Sequence, residues 1–125
     1  MTDEKKKRIL VIDDDPVLIK IMNNVLDANG FEPVMANEAP LGLEIAMTQS
    51  PDLIILDVMM PIINGYNICR LLKSEEGYKN IPILLLTSRS EQKDKEIGAE
   101  VGADGYIAKP FDTNELLETI RRLLG

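Results

Sequence analysis

The chain has 125 residues, 45% hydrophobic and 28% charged, the size and composition of one globular domain with a core of its own. Its net charge of −7, from 14 basic and 21 acidic residues, disfavours nucleic acid or an anionic membrane as the main partner. The single Cys69 excludes an internal disulfide, the lack of His removes the commonest general base and metal ligand, and the lack of Trp leaves an aliphatic core.

Apolar runs of four to six residues alternate with longer amphipathic stretches, the pattern of βαβ units. After the basic run Lys5-Lys6-Lys7-Arg8, read as a solvated lead-in, Ile9–Ile12 forms the first strand. A helix follows from Pro16, with Val17, Leu18, Ile21, Met22, Val25 and Leu26 on one face, and ends at Asn29-Gly30. Phe31 to Met35 is a short strand, and Pro33 inside it, which cannot donate a ladder bond, assigns it to a sheet edge. Asn37 caps the next helix, with Pro40 in its first turn. Leu53–Leu56 is apolar on both faces and therefore central. A helix carrying Ile68, Leu71 and Leu72 follows Asn64-Gly65.

Ile81 to Leu86 is the fourth strand, and Ser88 with Glu91 forms a capping box for a weakly apolar helix near 91–101. Tyr106–Ala108 is the fifth strand, and Asp112 with Glu115 caps a last helix bearing Leu116, Leu117, Ile120, Leu123 and Leu124. No run is long and apolar enough, at about 18 residues, to span a bilayer, and no leader pattern opens the chain, so a cytoplasmic protein without membrane insertion is expected. Right-handed crossovers and an edge position for the second strand predict an α/β fold. It is a doubly wound five-stranded parallel sheet of order 2-1-3-4-5, the flavodoxin-like three-layer sandwich, with its site beyond the carboxyl ends of the strands.

Chemistry gathers at those ends. Asp13, Asp14 and Asp15 follow the first strand, Asp57 the third, Thr87 and Ser88 the fourth, and Lys109 the fifth. Carboxylates within about 4 Å of Asp57 would repel it by several kcal/mol at an effective dielectric near 20. A hard divalent cation, Mg²⁺, Mn²⁺ or Ca²⁺, and the ammonium of Lys109 would offset that cost. Carboxylate, hard cation, ammonium and hydroxyl together are what phosphoryl transfer to a carboxylate requires. Asp15, directly before Pro16, fits a helix N-cap.

The stretches ILVIDDDP, PDLIILDVMMP with Gly65 following, IPILLLTS and GADGYIAKPF resemble those of the receiver domains of two-component response regulators, over essentially the whole chain. The resemblance implies Asp57 as phosphoacceptor, Asp13 and Asp14 as the acidic pair that positions Mg²⁺, and Met59 as donor of a backbone carbonyl to the metal. It also implies Thr87 as the switch hydroxyl, Lys109 as the ammonium that pairs with the phosphoryl group, and Tyr106 as the aromatic whose rotation reports activation. The Lys109–Pro110 bond is similar to one that is cis in the family. The implied partners are a histidine kinase or phosphotransfer protein, whose phosphohistidine supplies the phosphoryl group, and a downstream effector. The effector surface is expected on the fourth helix, fifth strand and fifth helix. The protein is then no conventional enzyme, although it assists its own aspartyl phosphorylation and dephosphorylation.

Residues 1–125 are read as one receiver domain, free-standing or part of a longer protein. Gly105 and Asn114 stand where dimerising receivers often carry an acid and an Arg, so a monomer or weak dimer is expected. Ile62 and Ile63 are apolar for a loop and could touch a partner, and Arg89 and Met59 are expected to tune the phosphoryl lifetime. The rival is a haloacid-dehalogenase-type phosphatase, which shares an apolar strand ending Asp-x-Asp, matched by Asp13 and Asp15, but needs a later acidic pair and leaves Asp57 unexplained.

Overall fold

The computed structural model describes residues 6–60, 64–87, 96–97 and 99–125. Along the chain run β1 (Arg8–Ile12), α1 (Pro16–Ala28), β2 (Glu32–Ala36), α2 (Ala39–Gln49), β3 (Leu53–Asp57), α3 (Gly65–Lys73), β4 (Ile83–Thr87), β5 (Gly105–Ala108) and α4 (Thr113–Leu124). All strand pairings are parallel and the order is β2-β1-β3-β4-β5, as the edge proline and the right-handed crossover rule require. Pro33 lies on the edge strand opposite Ile9. β3 and β4 are buried at every position, which is why their sequences lack the alternation of a half-exposed strand.

Strand alternation divides the core in two. Ile9, Val11, Leu53, Ile55, Leu84, Leu86 and Ile107 pack with Met22 and Leu26 of α1 and with Leu116, Leu117 and Ile120 of α4. Leu10, Ile12, Ile54, Leu56, Ile83 and Leu85 pack on the other face with Ala39 and Ala46 of α2 and with Ile68, Cys69 and Leu72 of α3. No helix among the described residues is long and apolar enough to cross a membrane.

Several boundaries differ from the sequence reading. Arg8 joins β1 and ion-pairs with Glu32 on the neighbouring strand, so it is not a solvated lead-in residue. β2 runs on to Ala36 in register with Ile12, which displaces the start of α2, so its N-cap is Glu38 rather than Asn37. β4 starts at Ile83, because Pro82 has no amide to donate and Ile81 closes a turn on Tyr78. Asp112 caps α4 by accepting from Asn114 N at 2.8 Å, one residue short of the capping-box position. On α1, Val17 is 65% and Ile21 45% exposed, and on α3 Leu71 is 41% exposed, so each apolar stripe is wider than the face the sheet covers. The helix expected near 91–101 lies mostly outside the described residues, as do Ser88, Arg89, Glu91, Ile62 and Ile63. Val101, its last residue, is buried against the α3 face.

At the amino end of the sheet one lysine closes several chain segments. Lys73 Nζ, at the end of α3, donates to Ile81 O at 2.8 Å, to Lys79 O at 3.1 Å and to Asp104 Oδ2 at 2.7 Å. The same Asp104 oxygen accepts from Ile83 N at 2.9 Å, so the starts of β4 and β5 are held together through it. Nothing in the sequence pattern signals this junction. Lys73→Met should lower stability by about 1–3 kcal/mol, because it leaves two carbonyls without the ammonium and the Asp104 carboxylate with the Ile83 amide but no counter-charge. A lower urea midpoint at unchanged slope is the expected measurement.

Candidate functional site

The sheet register puts the expected residues at one edge. Ile12 pairs with Leu56, Asp57 with Leu86, and Thr87 with Ala108. The ladders continue one step: Asp13 N donates to Ala36 O at 3.1 Å, Val58 N to Leu86 O at 2.9 Å and Lys109 N to Thr87 O at 2.6 Å. Asp13, Asp57, Thr87 and Lys109 thereby reach the same level, at the carboxyl ends of neighbouring strands. Among the described residues, Asp13, Asp57 and Thr87 are the buried polar ones, each at most 3% exposed.

Lys109 joins the two buried carboxylates. Its ammonium donates to Asp13 Oδ2 at 3.0 Å and to Asp57 Oδ1 at 3.2 Å. Asp13 Oδ1 accepts from Asp15 N at 2.9 Å, and Asp57 Oδ1 also accepts from Met59 N at 3.2 Å. Burial, and then the charge of Asp13, raise the Asp57 carboxyl above its ordinary 3.8 against the opposing pull of Lys109. Burial by itself would lower the Lys109 ammonium, but the hydrogen bond and charge of Asp13 and the charge of Asp57 outweigh it and leave it raised. Lys109 therefore stays charged, and the ionised form of Asp57 is strained.

The donor set fits a hard divalent cation. Asp13, Asp14 and Asp57 each offer an oxygen, and these lie within 4.8 Å of one another. Three carboxylates against one ammonium leave two negative charges, the charge such an ion would balance, and oxygen ligands suit Mg²⁺. Asp14 is exposed, so the cluster opens to solvent on its side.

Asp15 caps α1, its Oδ1 accepting from Val17 N at 2.9 Å, and its own amide orients Asp13. Thr87 is buried but extends the row of Ile83 and Leu85, which faces α2 and α3, where half-buried Tyr106 also packs. The Met59 side chain is 53% exposed, and its amide rather than its side chain serves the site. The Lys109–Pro110 peptide is cis. Cys69 lies in the core with its thiol pushed up to about 11, mainly by burial, so it is no nucleophile. The amides of Asp15 and Met59 escaped the sequence reading because a backbone donor carries no side-chain signal.

The site is thus a lysine-bridged acidic cluster at the carboxyl edge of a doubly wound parallel sheet. The profile of the response regulator receiver domain matches residues 9–121, and this chain belongs to that family. It is 38% identical over 122 residues to the DNA-binding response regulator MtrA of Mycolicibacterium smegmatis, covering 98% of this chain and 52% of that protein. The chain thus spans about half the length of the curated relatives it matches. Among solved structures it superposes on the chemotaxis protein CheY4 of Vibrio cholerae with a TM-score of 0.90 at 31% identity, covering 95% of this chain and 99% of that one. It also superposes on the receiver domain of sensor histidine kinase PA1611 from Pseudomonas aeruginosa, which has magnesium coordinated in its active-site cleft. The TM-score there is 0.88 at 28% identity, with 97% of this chain and 99% of that one covered.

The comparisons give no support to a haloacid-dehalogenase phosphatase. In such an enzyme Asp15 would be a working carboxylate, whereas here it is a helix cap.

Because the raised Asp57 carboxyl penalises the fold when ionised, the metal-free protein should lose stability as pH rises from about 4 through the raised value. The penalty is complete only above that raised value. Lys109 has the opposite sense for its own charge: its contribution is complete below its ordinary 10.5 and is lost at higher pH. Asp57→Asn should therefore raise the metal-free melting temperature by a few degrees at pH 7 and by little at pH 4. Added Mg²⁺ should stabilise the wild type and not the variant.

Proposed function

We propose that this chain is a phosphorelay switch in which Asp57 accepts a phosphoryl group from a phosphohistidine on a histidine kinase or phosphotransfer protein. The observation that carries the reading is the Lys109 ammonium bridging the buried Asp13 and Asp57 carboxylates at the strand ends. The Met59 amide and the Lys109 ammonium both donate to Asp57 Oδ1, which favours Oδ2 as the attacking oxygen. A bond forms from Oδ2 to phosphorus, the phosphorus–nitrogen bond breaks, and the imidazole leaves to take up a proton. Asp13, Asp14, Asp57 and the backbone carbonyl of Met59 would hold Mg²⁺, or Mn²⁺ in its place, which when bound spreads the charge of the phosphoryl oxygens.

Lys109 keeps Asp57 in position and offers its ammonium to the new phosphoryl oxygens. Thr87 then turns its hydroxyl toward them, and Tyr106, on the same face as Thr87, moves into the space vacated. The surface of β5, α4 and the segment near 91–101 carries the signal to a cytoplasmic effector protein. Water attack on phosphorus restores Asp57, so the domain assists its own phosphorylation and dephosphorylation without turning over a separate substrate. The reading takes residues 1–125 as one domain acting as a monomer or weak dimer.

Incubation with acetyl phosphate and Mg²⁺ should add one phosphoryl group per chain, and none to Asp57→Asn. Steady release of phosphate from small esters, without stoichiometric labelling, would reject the switch reading.

The approach of the phosphodonor also has a place. A groove of about 480 Å³ beside the acceptor is lined by Leu18, Lys109, Pro110, Phe111, Thr113 and the 45% exposed Ile21. Such an apolar patch beside buried chemistry suits a protein donor rather than a small one. Ile21→Glu should slow transfer from a phosphohistidine-bearing protein about tenfold or more, while labelling by acetyl phosphate stays at the wild-type rate.

A further inference from the structure

We propose that Gly65 is a positioning residue for Asp57: the lack of a side chain at 65 sets the backbone of 57–59, and with it the acceptor carboxylate. This rests on Asp57 being the phosphoacceptor. A Cβ built on Gly65 would lie 2.3 Å from Asp57 O, 2.9 Å from Val58 Cα and 3.0 Å from Asp57 C. These are backbone atoms, which cannot rotate aside. Gly42 differs, since a Cβ there would meet only side-chain atoms of Ile12, at 2.5–2.9 Å.

The close approach is built from both sides. Gly65 N donates to Val58 O at 3.0 Å, and Val58 N donates to Leu86 O at 2.9 Å, so the segment after Asp57 is clamped between the start of α3 and the end of β4. Asn64 caps α3 by accepting from Asn67 N at 3.0 Å, which fixes where Gly65 sits. Met59 N, at the far side of the clamp, donates to Asp57 Oδ1. Gly65 is the first residue of a helix, where Ala would be preferred on local grounds, so space and not backbone freedom demands the glycine. Relief of the contact requires a shift on the order of 1 Å, enough to cost about 100-fold in a step that depends on alignment.

The test compares Gly65→Ala with Cys69→Ala, a buried change on the same helix away from the clamp. Gly65→Ala should label with acetyl phosphate about 10- to 100-fold more slowly at saturating Mg²⁺. It should bind Mg²⁺ about tenfold more weakly by calorimetry and move the Met59 amide resonance. Cys69→Ala should match the wild type in all three.

Labelling and Mg²⁺ binding by Gly65→Ala within twofold of wild type would overturn the proposal, as would an equal loss in Cys69→Ala. If Gly65→Ala does not fold, hydrogen exchange of the wild type decides. Mg²⁺ with beryllofluoride should slow exchange of the Gly65 amide at least tenfold more than that of Cys69, and equal slowing would overturn the proposal. A wild type that binds Mg²⁺ but is not labelled at Asp57 would reject the phosphoacceptor reading alone, because the Mg²⁺ and resonance measurements still judge Gly65.

Discussion

Lys109 reaches two carboxylates that the fold has taken almost entirely out of water, and most of what is particular about the structure follows from that contact. Two buried anions at neighbouring strand ends repel each other strongly, and an unpaired buried charge is among the costliest features a fold can carry. One ammonium between them offsets part of the cost. It does not remove it, as the raised Asp57 carboxyl shows. The remaining negative charge makes the cluster receptive to a hard cation. Asp14, exposed beside the buried pair, offers a third carboxylate oxygen from the solvent side.

The rest of the domain keeps that contact in place. Asp13 and Asp57 follow strands buried to their last residues, and Lys109 follows β5, the neighbour of β4. Parallel register fixes the three to one level. The two-sided core leaves the strands no freedom to slip, because a one-residue shift would turn each apolar row toward the wrong face. At the opposite end of the sheet, Lys73 and Asp104 lock the starts of β4 and β5. The chemistry thus lies where loops meet strand ends held by a core on both faces.

The exposed part of α1 shows where apolar character exceeds what the core uses. Met22 and Leu26 face the sheet, while Val17 and Ile21 stay exposed, Ile21 lining one groove with Lys109. The same sequence stripe therefore serves packing at one edge and contact at the other, and no periodicity separates the two uses.

The sequence by itself determined the alternation of elements, the edge position of β2 through Pro33, and the residue types at the four strand ends. These are properties of local pattern, for which the side-chain period of strand and helix is a sufficient guide. It also determined that Asp57, Asp13 and Lys109 stand where crossovers bring strand ends together. What only the tertiary structure decided was which atoms meet. Lys109 takes one oxygen from each of two carboxylates, the amides of Asp15 and Met59 orient them, and Gly65 presses on the Asp57 backbone. The helix start at Glu38 and the junction at Lys73 belong with these. Hydrogen bonds between residues remote in the chain depend on three-dimensional distance. Backbone donors look alike at every position, so no reading along one dimension distinguishes the few that matter.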